Sequence, residues 1–323
     1  MIKTYTITDG RVLDASPEEA QILVYINPDD VERRALVHDY AIDEHTLHSS
    51  LDPDELSRLE FEPDHIAMIL KRPKRYSAED NFLFRVMSLG LFLFQNKLII
   101  VTSEEMSVFE TKRFFRIKSI REIVLKYLFQ SITHFIDHLK VIHQISEELE
   151  DKISASMENK YLLYMFILEK SLVYYLNAIS SNTLLLQRLK NYETRLAFSQ
   201  DEKELLDDLL IENAQCYRQA EIYSNILSGL MDARASIVNN NLNILMKRLA
   251  VLTVVVGAVN IPASMGGMSE FSRFIIDGFD VNWWVANLLF FFALVGTGFL
   301  SYKALAFFKV FSTEERVKKN RPV

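Results

Sequence analysis

The sequence predicts an α+β N-terminal domain, a stalk of long helices and two transmembrane helices. Three observations predict it. Strand-length apolar runs fill the first third of the chain, residues 119–248 contain no proline and a single glycine, Gly229, and two long C-terminal runs are apolar and nearly free of charge. The boundaries read from these shifts are 1–118 for a mixed α/β domain, 119–248 for a helical stalk, 249–268 for a first span, 269–282 for a loop, 283–308 for a second span and 309–323 for a basic tail.

The opening residues, MIKTYTITDG, have no basic region followed by an apolar core, so no cleaved signal peptide is expected. Gln21 to Asn27 is an apolar strand-like run ended by Asn27-Pro28. Pro28 opens a helical stretch with Asp29, Asp30 and Glu32 in its first turn, where the helix dipole favours acids. Asp43 is an N-cap for a short helix reaching Ser50. His65 to Leu70, Phe82 to Met87, Leu89 to Phe94 and Lys97 to Thr102 have strand length and apolarity, and Gln95-Asn96 is a turn between the last two. A small sheet with flanking helices accommodates all of these.

From residue 119 the apolar period becomes helical, over about 119–157, 160–190 and from 200 onward. Ser199 with Glu202 three residues later forms a capping box at the start of the last helix. No breaker follows before the first span. One helix of well over 60 residues is therefore expected to run from the stalk into the membrane.

Leu249 to Met268 is 20 residues without a charge, about 30 Å of helix and enough to cross a bilayer core. Within it Thr253, Gly257, Asn260, Ser264 and Gly267 recur at steps of four, three, four and three, a stripe on one helical face. The same steps lead backward through Ala250, Met246, Asn243 and Asn239. Spacing near 3.5 is that of parallel helices around a shared axis. In lipid, a small and polar stripe means either close helix packing or a wetted axis.

Trp283 to Phe308 forms the second span, its one charge, Lys303, near the end where it can reach the interface. Lys247 and Arg248 precede the first span; Lys309, Arg316, Lys318, Lys319 and Arg321 follow the second; the loop between holds only Arg273 against Glu270, Asp277 and Asp280. The positive-inside rule puts both termini in the cytoplasm, with Trp283 and Trp284 as an outer aromatic belt. The single cysteine, Cys216, has no partner for an intrachain disulfide, which fits a reducing cytosol.

From Leu249 onward seven Lys/Arg face five Asp/Glu, a net of +2, so the preceding part carries −9 of the chain's total of −7. That balance argues against nucleic acid as a partner and suits divalent cations, although a solvated acidic surface accounts for most single residues. His134 and His138, with Asp137 between and His143 after, lack an evident third ligand and read as surface histidines, as do His45 and His48. No nucleophile–base set, phosphate loop or Cys pair signals an enzyme.

Asn243-Ile-Leu-Met246-Lys247 entering the first span, Pro262 within it, Gly267-Met268-Ser269 at its end, an acidic loop, a second span and a basic tail together resemble the CorA metal ion transporters. The segment IDEHTLHSSLDPDELSRLEF is similar to the family's as well. The resemblance implies a homopentameric funnel in an inner membrane, with five first spans lining a pore and the second spans facing lipid. Mg²⁺ is the implied substrate, Co²⁺ and Ni²⁺ are also carried, and Zn²⁺ is carried in one branch. On that pattern Asn243 and Met246 lie at the cytoplasmic end of the pore, Gly257 and Asn260 midway, and Gly267, Met268 and Ser269 at the outer mouth. Thr253 and Ser264 share the lining, Met246 and Leu249 narrow it, and Glu270, Asp277 and Asp280 either ring the entrance or are ordinary solvated loop charges. The basic tail either surrounds the inner mouth or acts as a topology signal that touches anionic lipid. Asp207, Asp208 and Glu212, clustered on the stalk, are candidates for a regulatory divalent-ion site.

Two departures stand out. Pro262 lies about one turn nearer the outside than the pattern places it, and Ser269 replaces the signature Asn. A rotatable hydroxyl holds a hydrated Mg²⁺ less firmly than a carboxamide does. Selectivity is therefore open, with a Zn²⁺ transporter and a non-conducting regulator as rival readings on the same scaffold.

Overall fold

The computed structural model describes residues 1–77, 80–105, 109, 114–155, 159–268, 273 and 282–307. Two compact units divide the chain, Met1–Met231 and Asp232–Val323. The elements in order are β1 (Ile2–Thr8), β2 (Arg11–Asp14), β3 (Ile22–Ile26), α1 (Asp30–Asp39), α2 (Glu44–Ser49), β4 (Arg58–Phe61), β5 (Ile66–Pro73), β6 (Val86–Leu93), β7 (Leu98–Thr102), α3 (Ile120–Ala155), α4 (Asn159–Asn191), α5 (Gln200–Gly267) and α6 (Trp283–Phe307).

In the first unit seven strands form one sheet in the order β2-β1-β3-β7-β6-β5-β4. β3 and β7 pair in parallel, and the other neighbours are antiparallel. Both faces are covered, so β3 and β7 are buried at every position and read as near-continuous apolar runs, with Thr102 the polar exception. Ile22, Val24 and Ile26 join the core shared with α3, α4 and the start of α5, whereas Leu23 and Tyr25 join the smaller core beneath Leu36 of α1 and Leu47 of α2.

Local chemistry sets the element ends. The β1–β2 hairpin turns at Asp9-Gly10, both at positive φ (50° and 73°), the backbone that Asp-Gly favours. The expected Gln95-Asn96 turn closes with the Phe94 N–H donating to the Lys97 carbonyl at 2.8 Å. Asp29 caps α1 by accepting from the N–H groups of Val31 and Glu32 at 2.9 and 2.8 Å, and Glu32 accepts from the Asp29 N–H at 3.1 Å, so the helix begins beyond Pro28. Asp43 caps α2 as expected.

Two expected strands, Phe82–Met87 and Leu89–Phe94, become one, β6. Residues 82–85 leave the ladder because the Phe84 N–H donates to Ser171 Oγ of α4 at 3.0 Å and Phe82 takes φ +68°. β1, β2 and β4 are strands beyond those that the sequence predicts.

α4 is long and apolar enough to cross a membrane, as are α5 and α6. In α4, however, 39% of the most apolar window is buried against its own unit, compared with 0% in α6. Asn182 of α4 is also tied to the sheet: its Oδ1 accepts from the Lys71 N–H (2.9 Å) and Ser57 Oγ (2.7 Å), and its Nδ2 donates to the Lys71 carbonyl (2.8 Å). One face of α4 is thus core, tied to the sheet, and the spans are those of α5 and α6.

Candidate functional site

In the second unit the C-terminal part of α5 and the whole of α6 are described. Val251 is buried and Val255, Ala258, Val259, Pro262, Ala263 and Gly266 are half-buried, marking one face of α5. α6 packs there. A Cβ built on Gly266 would fall 2.2 Å from Cζ of Phe290, and one on Gly298 would fall 3.2 Å from Cγ2 of Val259.

Asn243, Met246, Thr253, Gly257, Asn260, Ser264, Gly267 and Met268 are all exposed. At 100° per residue the stripe from Thr253 to Gly267 is centred about 160° from the face covered by α6. A Cβ on Gly257 or Gly267 would meet nothing within 4 Å among the described residues. The small and polar stripe is thus not the contact between the two spans of one chain. Thr253 Oγ1 donates to the Leu249 carbonyl at 2.9 Å, leaving its oxygen lone pairs outward. Asn260 and Ser264 have no side-chain hydrogen-bond partner among the described residues. Pro262 has no N–H to give the Ala258 carbonyl four residues back. Ser269, Glu270, Asp277 and Asp280, and the tail residues Arg316, Lys318, Lys319 and Arg321, lie outside the described residues.

The stalk acids fall in the first unit. Asp207 pairs with Lys190 of α4 at 2.8 Å, and Lys190 also reaches Glu193 at 3.0 Å. Asp208 is exposed and Glu212 half-buried. Among the described residues no three metal-ligating side chains of one chain converge.

The histidines of α3 differ from the surface reading. His134 and His138 are half-buried, and His138 Nδ1 lies 2.6 Å from the hydroxyl of the buried Tyr175. Burial pushes His134 down to about 3 and His138 down to about 4. The signal was present in the sequence: His138 lies on the same apolar stripe as Ile132, Phe135 and Ile142. Cys216 of α5 is 1% exposed, and burial, with Glu212 nearby, pushes its thiol up to about 12.

Lys71 was not singled out. It sits on β5 opposite Ser88 of β6, and its ammonium is enclosed by Ser88 and by the loop that follows α2. Gly90 lets that loop lie close, since a Cβ there would sit 2.6 Å from Ser50 Cβ.

The model of one protein family, described as CorA-like Mg²⁺ transporter protein, matches residues 18–263. The cobalt/magnesium transport protein CorA of Methanocaldococcus jannaschii is 26% identical over 264 residues, covering 76% of this chain and 81% of that protein. The complete structure of that organism's CorA magnesium transporter superposes with a TM-score of 0.72 at 20% identity, covering 95% of this chain and 96% of that one. The full-length CmaX protein superposes with a TM-score of 0.68 at 15% identity, covering 94% and 97% respectively.

Proposed function

The chain belongs to the CorA-like Mg²⁺ transporter family, membrane ion transporters and not enzymes, and from that premise we propose that it carries Mg²⁺ through a pore built from five copies of its first span. The observation that supports this reading most directly is the placement of the polar stripe. Thr253, Gly257, Asn260, Ser264 and Gly267 occupy the face of α5 away from α6, where in one chain they would meet lipid. Polar groups in that setting need water or a partner. Five inward-facing copies supply both, as stacked rings of hydroxyl and carboxamide oxygens.

Mg²⁺ sheds its water reluctantly, so weak, repeated oxygen sites suit the passage of a hydrated ion better than one tight cage does. Met246 and Leu249 would form apolar rings that close the path by excluding water. Gly267, Met268 and Ser269 would form the outer mouth, ringed by Glu270, Asp277 and Asp280. Co²⁺ and Ni²⁺ would share the path. The stripe offers oxygen and thioether groups without imidazole or thiolate, which favours Mg²⁺ over Zn²⁺. The setting is an inner membrane with both termini in the cytoplasm. A divalent ion held between subunits by Asp207, Asp208 and Glu212 would favour the closed state once Lys190 yields Asp207.

Flux of Mg²⁺, Co²⁺, Ni²⁺ and Zn²⁺ into proteoliposomes tests the reading. Mg²⁺ entry exceeding Zn²⁺ entry is expected. Zn²⁺ entry alone would assign the scaffold to zinc, and intact oligomers that pass none of the four would mark a non-conducting regulator.

A further inference from the structure

Two adjoining clefts of about 240 and 360 Å³ in the first unit share Leu93, Phe94, Gln95 and Arg121 as walls. His65, 5% exposed, lines the smaller one, its ring stacked on Phe94 with centroids 4.9 Å apart. Neither of its buried ring nitrogens has a hydrogen-bond partner among the described residues. A neutral imidazole carries one donor and one acceptor, and a buried polar group left without a partner is costly. Burial holds the ring below the usual imidazole range, against the pull of Glu62 and Asp64 on the exposed rim. The larger cleft ends at the start of α3. There Ser119 Oγ accepts from the Glu122 N–H at 3.0 Å, while the N–H groups of Ile120 and Arg121 meet no acceptor among the described residues. The Arg121 guanidinium has no partner among them either. Gln21 spends its carbonyl oxygen on the Ile7 N–H at 3.2 Å, which leaves its amide N–H groups to the cleft. Lys118 at this end is paired with Asp201 at 2.5 Å, and no acid lines this cleft among the described residues.

We propose that the joined clefts bind a small sugar phosphate, with its phosphate at the start of α3 and its hydroxyls beside His65. The phosphate end is built from two free backbone N–H groups at the positive end of a 36-residue helix and from one unpaired guanidinium, which can meet two phosphate oxygens at once. Arg121 borders both clefts and so marks where the two ends of the ligand join. The His65 end suits hydroxyls for a different reason. A hydroxyl both donates and accepts, so it satisfies either nitrogen of the imidazole, whichever carries the proton. Glu62 and Asp64 repel a second anion there and accept from hydroxyls. The rim of Glu62, Pro63 and Asp64 is exposed and parts to admit them. The carboxamide of Gln95, on the turn between β6 and β7, is common to both clefts and exposed.

Calorimetric titration of the full-length protein in detergent with glucose 6-phosphate, ribose 5-phosphate, inorganic phosphate and glucose tests this, with the thermal midpoint as a second readout. At least one of the two sugar phosphates should bind about tenfold more tightly than inorganic phosphate or glucose does. Arg121→Gln should weaken the sugar phosphate and inorganic phosphate alike, by about tenfold. His65→Phe keeps a ring on Phe94 and removes both orphaned nitrogens, so the unliganded midpoint should hold or rise. The same variant should weaken the sugar phosphate and leave inorganic phosphate unchanged. Absence of binding by both sugar phosphates at millimolar concentration would overturn the proposal, as would affinity indifferent to Arg121→Gln. Inorganic phosphate binding as tightly as either sugar phosphate would overturn the ligand class. A lower midpoint in His65→Phe with sugar phosphate affinity unchanged would reduce His65 to packing and overturn its part in the site.

Discussion

Asn260 places a carboxamide on an exposed helical face in the middle of an apolar span, where burial without a partner costs free energy. If five such groups ring a wet axis, Asn260→Leu should abolish Mg²⁺ flux while chemical cross-linking still captures the oligomer; flux at the unsubstituted level would remove Asn260 from the path. Gly266 makes the opposite argument, because its constraint lies within one chain. Gly266→Ala would drive a methyl group to within 2.2 Å of the Phe290 ring. Overpacking of that kind costs about 1–3 kcal/mol. A lower thermal midpoint is expected, with recovery in Gly266→Ala, Phe290→Leu. Gly267→Ala, which meets nothing within 4 Å among the described residues, should leave the packing of α5 on α6 intact, and an equal loss of stability in both glycine variants would contradict the assignment of faces.

At the scale of elements, the capping box at the start of α5 does more than end a helix. Glu202 accepts from the Ser199 N–H at 2.7 Å and also from the Ser119 hydroxyl that precedes α3, and it is itself buried. One carboxylate therefore ties together the starts of two helices. Glu202→Ala should cost about 2 kcal/mol, the sum of a lost cap and an orphaned hydroxyl, while Ser199→Ala should cost about 1 kcal/mol. Denaturant unfolding of the detergent-solubilised protein would measure both, and equal losses would mean that the link to Ser119 contributes nothing. The box, the long helices and the polar stripe were legible because each is a local or strictly periodic pattern. The β1–β2 hairpin was legible too, in the turn-forming pair Asp9-Gly10. β4 was barely legible: Arg58-Leu59-Glu60-Phe61 does alternate, but four residues are too few to set a period. The burial of Lys71 was not legible, since it follows from a loop folding over the sheet rather than from any neighbour in sequence.

At the scale of the whole molecule, pH acts through two half-buried histidines of the first unit. His134 and His138 are held in the folded state at about 3 and 4, well below the ordinary 6.5, chiefly by burial. As pH falls below 6.5 the unfolded chain takes up protons that the folded one refuses, so the stability these residues contribute above that pH is lost progressively toward pH 4. The thermal midpoint should fall between pH 7 and pH 4.5, and less steeply in His134→Gln; parallel curves would exclude His134 as a cause. Chelating divalent ions should change the protease cleavage pattern of residues 1–231, and an unchanged pattern would remove a sensing role for Asp207, Asp208 and Glu212. Cys216, the sole cysteine and 1% exposed, has a practical consequence. The native chain is a silent background for maleimide reagents, so a cysteine introduced at Thr253, Ser264 or Ser269 would carry the one reactive thiol. Site-by-site labelling from either side of the membrane can then trace the water-filled route without first mutating the protein's own sulfur.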